Sequence, residues 1–148
     1  MTVRVERAFE LTISPDQVWD FISDPGNRAG AISVVTDYTP DAADATRVTW
    51  HVELPIPLLR RTIAVETEDV TRRPPTYVKF VGRSKVMDVT GEHEIEERNG
   101  GSRLTNTFVV DGKVPGVEKF FKRNLDGELE NLRRALVRDL QRTHSGEQ

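Results

Sequence analysis

The stretch SPDQVWDFISDP, residues 14–25, predicts an amphipathic helix that is too short to be stable alone. Ser14 is of the residue type that caps helices, and Pro15 suits the first helical position. The apolar stripe of this predicted helix consists of Val18, Trp19 and Ile22. The turn-forming residues 24–26, Asp-Pro-Gly, end it. Such a helix needs a larger apolar surface to pack on.

The segments on both sides of the helix alternate between apolar and polar residues, as half-buried strands do. One strand precedes it, with apolar side chains at positions 3, 5, 9, 11 and 13. Six more are predicted near 34–40, 46–54, 60–70, 76–82, 87–97 and 102–110. Asn-Gly at 99–100 predicts a two-residue hairpin turn between the last two. Residues 27–35 are ambiguous and could add one more helical turn before the second strand.

Residues 117–144 predict one long helix, about 40 Å in length at 1.5 Å per residue. Its apolar stripe consists of Val117, Phe120, Phe121, Leu125, Leu129, Leu132, Leu136 and Leu140. The order of elements predicts an α+β fold, in which a seven-stranded antiparallel sheet is covered on its apolar face by the C-terminal helix. We expect a single domain over residues 1–144 and a disordered tail at 145–148.

The composition argues against several classes of function. The chain has 148 residues, 36% of them hydrophobic and 30% charged, and a net charge of −3, which gives no general attraction to nucleic acid or anionic membranes. The absence of cysteine excludes disulfides and thiolate chemistry. No apolar run approaches the roughly 20 residues of a membrane span, and the charged N-terminus is unlike a signal peptide, so we expect a cytoplasmic protein. No phosphate loop, nucleophile elbow or metal-ligand spacing occurs, so no cofactor or metal is expected.

The loops at the two ends of the predicted sheet differ in character. One end has short polar turns, whereas the other has longer loops with apolar residues: Ile56, Leu58, Leu59 and Val114. Apolar loop residues usually pack on something, which suggests that they border the mouth of a cavity, although they could simply pack on each other. The arginine pairs at 60–61 and 72–73 are expected to be solvated turn charges, the first pair at this mouth.

The sequence ISPDQVWDFISDP resembles the opening motif of the START-like superfamily, also called SRPBCC or helix-grip proteins, through Pro15, Val18, Trp19 and Asp24-Pro25. It is similar in particular to the polyketide cyclase/dehydratase-like and carbon-monoxide-dehydrogenase-G-like branches, and the order of elements agrees over essentially the whole chain. The resemblance implies a bent sheet around the last helix, with a deep apolar cavity between them. It also implies that the loops at 55–60 and 82–86 gate the entrance.

His93 and Asn106 are the most suggestive polar pair. Each shares parity with apolar neighbours on its strand, so both should point inward, and counting from the 99–100 turn brings them close together. His93 could orient a ligand or act as an acid or base near neutral pH. The alternative is that the two side chains satisfy each other in the core.

Glu128 is the second candidate for acid/base chemistry, because it lies close to the apolar stripe of the C-terminal helix. A carboxylate there would be desolvated, as such chemistry needs. The alternative, which we favour, is that Glu128 reaches water or pairs with Arg7 on the first strand. Long side chains at the edge of an apolar stripe usually extend their charged end into solvent.

These observations favour a protein that binds a hydrophobic small molecule, either lipid-like or aromatic and polyketide-like. The residues expected to contact it are Trp50, Val52, Leu54, Leu58, Leu59, Val78, Phe80, Val89, Gly91, His93, Asn106, Phe108, Val117, Phe121 and Leu125. A polyketide cyclase or dehydratase and a protein-interaction module are the alternatives. We expect no nucleic-acid partner and no membrane span, and either a monomer or a homodimer paired through edge strands.

Overall fold

The computed structural model describes residues 2–57, 59 and 61–146, with side chains described through residue 140. It confirms the predicted α+β helix-grip fold. The elements are β1 (Thr2–Leu11), α1 (Pro15–Ile22), α2 (Pro25–Ala31), β2 (Val35–Pro40), β3 (Arg47–Val52), β4 (Ile63–Arg73), β5 (Tyr77–Arg83), β6 (Met87–Arg98), β7 (Gly101–Gly112) and α3 (Val117–Gly146).

The seven strands form one antiparallel sheet in the order β1-β7-β6-β5-β4-β3-β2. The three helices divide the inner face of this sheet among them. Helix α3 contacts β1 and β7, α1 contacts β6 and β7, and α2 contacts β2 and β3. The two short helices also contact α3. The core therefore needs the short helices as well as the long one.

Helix α1 begins as the sequence predicts. The Ser14 hydroxyl accepts a hydrogen bond from the Gln17 backbone N–H at 3.3 Å, and the Gln17 side chain accepts one from the Ser14 N–H at 3.4 Å, which makes a capping box. Val18 and Ile22 are buried, but Phe21 rather than Trp19 completes the buried face. Trp19 is partly buried and packs against the core from the edge of this face.

Residues 24–26 begin a second helix as well as ending the first. The Asp24 carboxylate accepts a hydrogen bond from the Gly26 N–H at 2.8 Å and caps α2, with Pro25 at the first position. This resolves the ambiguous segment, whose first part is helical through Ala31 and whose last part leads into β2.

The hairpin of β6 and β7 has the predicted two-residue turn. Asn99 and Gly100 have φ angles of 50° and 83°, which a type I′ connection requires of both central residues. The turn fixes the register of the two longest strands, so that His93 lies directly opposite Asn106 and Gly91 opposite Phe108.

Gly91 allows an aromatic ring to lie flat against the middle of the sheet. A Cβ atom at this position would stand only 2.1 Å from Cε1 of Phe80, its partner on β5. Trp50 and Phe108 meet the Phe80 ring edge-on, at centroid distances of 5.5 and 6.0 Å. We call Trp50, Phe80 and Phe108 the aromatic layer.

Helix α3 presents the predicted stripe to the sheet. Its fully buried members are Val117, Phe121, Leu125, Leu129, Leu132 and Leu136, and Phe120 and Leu140 are partly buried at its edges. The backbone of α3 continues to Gly146, two residues into the segment for which a tail was predicted. Within the described ranges, none of the helices combines the length and apolarity that crossing a bilayer would require.

We predict that Gly91→Ala lowers the free energy of unfolding by about 1–3 kcal/mol, because the added methyl group would overlap the Phe80 ring. Gly127→Ala is the matched control, since no heavy atom lies within 4 Å of a Cβ at this position in α3. The control should be stabilised by about 0.5–1 kcal/mol. Urea unfolding measures both, and the Phe80→Leu background should relieve the cost at position 91. Equal effects at the two glycines would contradict this account.

Candidate functional site

A small apolar cavity lies where the sheet, α3 and the connection between α2 and β2 meet. Its volume is about 20 Å³, little more than one water molecule needs. The side chains that line it come from α3, from β3, β6 and β7, and from residues between α2 and β2: Ile32, Val34, Trp50, Val52, Met87, Val89, Phe108, Val110, Phe121, Leu125 and Glu128. Glu128 is the only ionisable member among these described residues.

The cavity lies under the end of the sheet where the sequence predicts a mouth. Val52 is the last residue of β3, Met87 is the first of β6, and Val110 is two residues from the end of β7. The loops at this end cover residues 53–62, 84–86 and 113–116, so the second is shorter than the predicted 82–86. The Ile56 side chain would lie 3.1 Å from a Cβ at Gly116, so the first and third loops touch.

The residues expected to bind ligand fall into three groups. Those that line the cavity are Trp50, Val52, Val89, Phe108, Phe121 and Leu125. Those buried in the core without lining it are Leu54, Val78, Phe80, Gly91, His93, Asn106 and Val117. Leu59 is partly buried in the first mouth loop, and Leu58 lies outside the described residues.

Four lining residues escaped sequence reasoning: Ile32, Val34, Met87 and Val110. Strand parity could have found two of them, because Met87 has the parity of Val89 and Val110 that of Phe108. Ile32 and Val34 lie in the segment between α2 and β2, which shows no period that predicts a direction.

The Glu128 carboxylate is buried, with an exposed fraction of 3%, and faces the connection between α2 and β2. Its Oε1 accepts hydrogen bonds from the Ser33 N–H at 3.1 Å and the Asn131 side-chain amide at 2.8 Å. Its Oε2 accepts one from the Val34 N–H at 3.4 Å. The expectation that Glu128 reaches water or pairs with Arg7 is therefore wrong.

Arg7 instead binds a neighbouring carboxylate on the exposed side of α3. Its Nη1 lies 2.8 and 3.0 Å from the two oxygens of Asp126. Which acid of α3 pairs with Arg7 depends on the helical turn that lies opposite Arg7. The sequence does not show which turn this is.

His93 and Asn106 form a hydrogen-bonded pair in the core. Both side chains are fully buried, and His93 Nδ1 lies 2.7 Å from Asn106 Oδ1. Because an amide oxygen only accepts, Nδ1 carries the proton when the ring is neutral. The imidazole packs against Phe80 and Phe108, at centroid distances of 6.1 and 5.9 Å. His93 Nε2 and Asn106 Nδ2 have no hydrogen-bond partner among the described residues.

The surroundings of His93 keep its ring neutral. Burial, followed by the positive charge of Arg28, lowers the pKa of His93 from 6.5 to about 3, although the bond to Asn106 opposes the shift. A group with such a pKa does not exchange protons near neutral pH. His93 also lies outside the cavity lining, so its surroundings favour a core histidine over an acid/base group.

A buried ion cluster joins the short helices to β4, and sequence reasoning missed it. The guanidinium of Arg28 binds the Asp69 carboxylate and donates to the Ile22 carbonyl at 2.8 Å. Arg72 donates to the other Asp69 oxygen at 2.7 Å and to the Ser23 carbonyl at 2.8 Å. Arg72 is exposed, as the sequence indicated, but it is also paired with the buried Asp69. Asp69 shares the inward parity of β4, which was the available signal.

The surroundings of Arg28 connect this ion cluster to the aromatic layer. Its guanidinium carbon lies 5.2 Å from the centroid of the Phe80 ring. Burial lowers the pKa of Arg28 from its ordinary value, and the Asp69 carboxylate opposes that shift. No group of three His, Asp or Glu side chains suited to a metal ion occurs in the part of the chain that the structure describes.

Residues 2–137 match a protein family described as polyketide cyclase / dehydrase and lipid transport. No curated protein sequence matches the chain significantly. A conserved protein from Geobacillus kaustophilus has a similar structure, with a TM-score of 0.74 at 14% identity over 95% of this chain and 97% of that one.

Two further solved structures share the fold. A START superfamily protein from Mycobacterium smegmatis gives a TM-score of 0.71 at 13% identity, over 95% of this chain and 98% of that one. The Zhui aromatase/cyclase from Streptomyces sp. R1128 gives 0.70 at 13% identity, over 95% and 96%. Identities this low establish a shared fold and leave function to be argued from the site.

The low pKa of His93 should make the protein less stable in mild acid. Between pH 6.5 and about 3 the unfolded chain protonates this imidazole and the folded chain does not, so stability is complete above pH 6.5 and falls as the pH drops. From pH 7 to 5 the wild type should lose about 2 kcal/mol more of its unfolding free energy than His93→Gln.

Urea titrations at the two pH values measure this difference, and His51→Gln serves as the control. The side chain of His51 is only partly buried, on the face opposite the core, and its Nε2 lies 3.0 Å from the Thr39 hydroxyl. The control should keep the acid sensitivity of the wild type. An equal loss in the wild type and in His93→Gln would refute a neutral buried imidazole.

Asp69→Asn should lower the unfolding free energy by about 3–5 kcal/mol, because it leaves the buried guanidinium of Arg28 without its counter-charge. The matched control is Asp126→Asn, which weakens an exposed pair with Arg7 and should cost under about 1 kcal/mol. Thermal and urea unfolding report both changes. If the two variants were equally stable, the ion cluster would not hold the short helices on the sheet.

Proposed function

The chain belongs to the polyketide cyclase/dehydrase and lipid transport family, and we propose that it binds a hydrophobic small molecule between the sheet and α3. The ligand is lipid-like, or aromatic and polyketide-like. One observation carries the proposal: an apolar cavity lies under the mouth loops, and Glu128 is the only ionisable residue in its described lining. Burying apolar ligand surface there contributes about 25 cal/mol per Å².

Ligand binding requires this cavity to widen. Sites for small molecules usually enclose about 300–1,000 Å³, whereas the cavity holds about 20 Å³. The side chains best placed to move are Met87, which is flexible and stands at the mouth, and the partly buried Ile56 and Leu59 of the first mouth loop. The ligand takes the place of these side chains against the walls of the cavity.

A cyclase or dehydratase of the polyketide type is the second candidate. Glu128 favours it, because a carboxylate on an apolar wall is the kind of group that acid/base catalysis uses. Catalysis of this kind needs several polar groups that converge on one substrate. His93 and Asn106 bind each other outside the lining, so binding without reaction is the better-supported proposal.

Nothing in the described surface of α3 favours a protein-interaction module. The exposed side chains of its middle part are polar or charged: Lys122, Arg123, Asn124, Asp126, Arg134 and Arg138. A docking face for another protein usually has an apolar centre.

Leu125→Ala tests the proposal, because it removes a side chain from the cavity wall. It should destabilise the protein by about 2–5 kcal/mol and increase its affinity for naphthalene-sized and fatty-acyl-sized probes. Leu132→Ala is the matched control, since Leu132 is equally buried on the same helix but does not line the cavity. It should lose similar stability without the gain in affinity.

Ligand-induced shifts in melting temperature and native mass spectrometry measure binding of the same probes to all three proteins. A specific molecule that co-purifies with the wild-type protein from its source organism would identify the natural ligand. The proposal is rejected if neither the wild type nor Leu125→Ala binds any apolar probe.

A further inference from the structure

We infer that Glu128 selects the ligand, and that the ligand carries a hydrogen-bond donor, such as a hydroxyl, a phenol or an ammonium group, at its buried end. The same carboxylate disfavours ligands that end in a carboxylate. This inference rests on the proposed binding function and adds the chemical class of the molecule. It is based on the burial of Glu128 and on the hydrogen bonds that its carboxylate accepts.

Glu128 is a buried carboxylate without an ion pair among the described residues. Its hydrogen bonds come from two backbone N–H groups and one side-chain amide, all of them neutral donors. Arg7, the cation expected to pair with it, binds Asp126 instead. A buried charge is ordinarily paired, because its desolvation is costly. In Glu128 neutral donors alone hold the carboxylate beside an apolar space.

The carboxylate retains room for one more donor. Its two oxygens offer about four lone-pair sites, and the described contacts use three. Oε1 accepts two of these bonds, whereas Oε2 accepts only the long one of 3.4 Å from Val34. Oε2 is therefore the oxygen with spare capacity. Glu128 lines the closed cavity through its side-chain carbons, so a ligand donor reaches Oε2 only once the cavity widens.

Apart from Glu128, the described lining residues are apolar, so a polar group of the ligand would bind at Glu128. The described lining includes no Lys, Arg or His, so it offers no cation to a ligand carboxylate. An anion entering this space would lose its hydration and face a second negative charge. A hydroxyl or ammonium group would instead donate to Glu128 while its apolar body packs on the aromatic and aliphatic walls.

Two matched series of probes test the inference. The aromatic series is 2-naphthol, 2-methoxynaphthalene and 2-naphthoate, and the aliphatic series is 1-decanol, decyl methyl ether and decanoate. Within each series the apolar body is constant, and the polar end is a donor, an acceptor without a hydrogen, or an anion. Dissociation constants come from isothermal titration or from quenching of tryptophan fluorescence.

In the wild type the alcohol of each series should bind about tenfold more tightly than its ether, and the carboxylate should bind weakest. Glu128→Gln should reverse part of this order. Its amide oxygen can still accept the Ser33 N–H, but the charge is gone, so the alcohol should lose about tenfold, the ether should be unchanged and the carboxylate should gain. Glu130→Gln is the control, because Glu130 binds Arg133 outside the lining.

The outcomes separate the two proposals. If the alcohol and the ether bind the wild type equally, and Glu128→Gln leaves the order unchanged, the selection by Glu128 is overturned while ligand binding stands. If none of the six probes binds the wild type or the cavity-enlarged Leu125→Ala protein, the binding function itself fails. A gain in carboxylate affinity in Glu128→Gln, absent in Glu130→Gln, supports the inference even where the variant is less stable.

Discussion

The inner face of the sheet is too wide for one helix to cover, so the two short helices must cover the strands that α3 does not reach. Helix α3 packs on the β1 and β7 side, while α1 and α2 cover the strands farther across. The cavity lies where these two covers meet over β3, β6 and β7. Glu128 bridges that meeting point, because its carboxylate holds the backbone of Ser33 and Val34 against α3. The junction between α3 and the two short helices therefore contains both the cavity and a buried carboxylate.

The buried polar groups of this fold differ in whether they also line the cavity. Asp69 accepts from Arg28 and Arg72, which fixes the helix pair to β4. His93 and Asn106 bind each other beside the aromatic layer. These groups have their main partners within the protein and lie outside the cavity lining. Among the described residues, only Glu128 is a buried ionisable side chain that also lines the cavity, and for this reason we assign the choice of ligand to it.

Strand periodicity predicted the site residues whose direction is set by local rules. The inward direction of His93, its position opposite Asn106 and the burial of Trp50 and Phe80 all follow from a period of two and a type I′ turn. The sequence did not predict the side-chain directions and partners that are set by tertiary contacts. The segment between α2 and β2 has no period, and the partners of charged side chains depend on which elements meet in space. The expected Arg7–Glu128 pair was wrong for this reason, since the exposed Asp126 and the buried Glu128 are only two positions apart on α3.

The hydrogen bonds that hold each element in place indicate where the cavity would open. Strands β6 and β7 pair over twelve residues each, so separating them would break a long ladder of backbone hydrogen bonds. In the described part of the first mouth loop, by contrast, the N–H groups of Ile56 and Leu59 donate to carbonyls two and three residues back, within the loop itself. Moving this loop leaves the strand ladders intact and uncovers the buried Leu54 together with the partly buried Ile56 and Leu59. An apolar ligand would replace the contacts that these side chains lose. Moving the first mouth loop should therefore cost less free energy than separating β6 from β7.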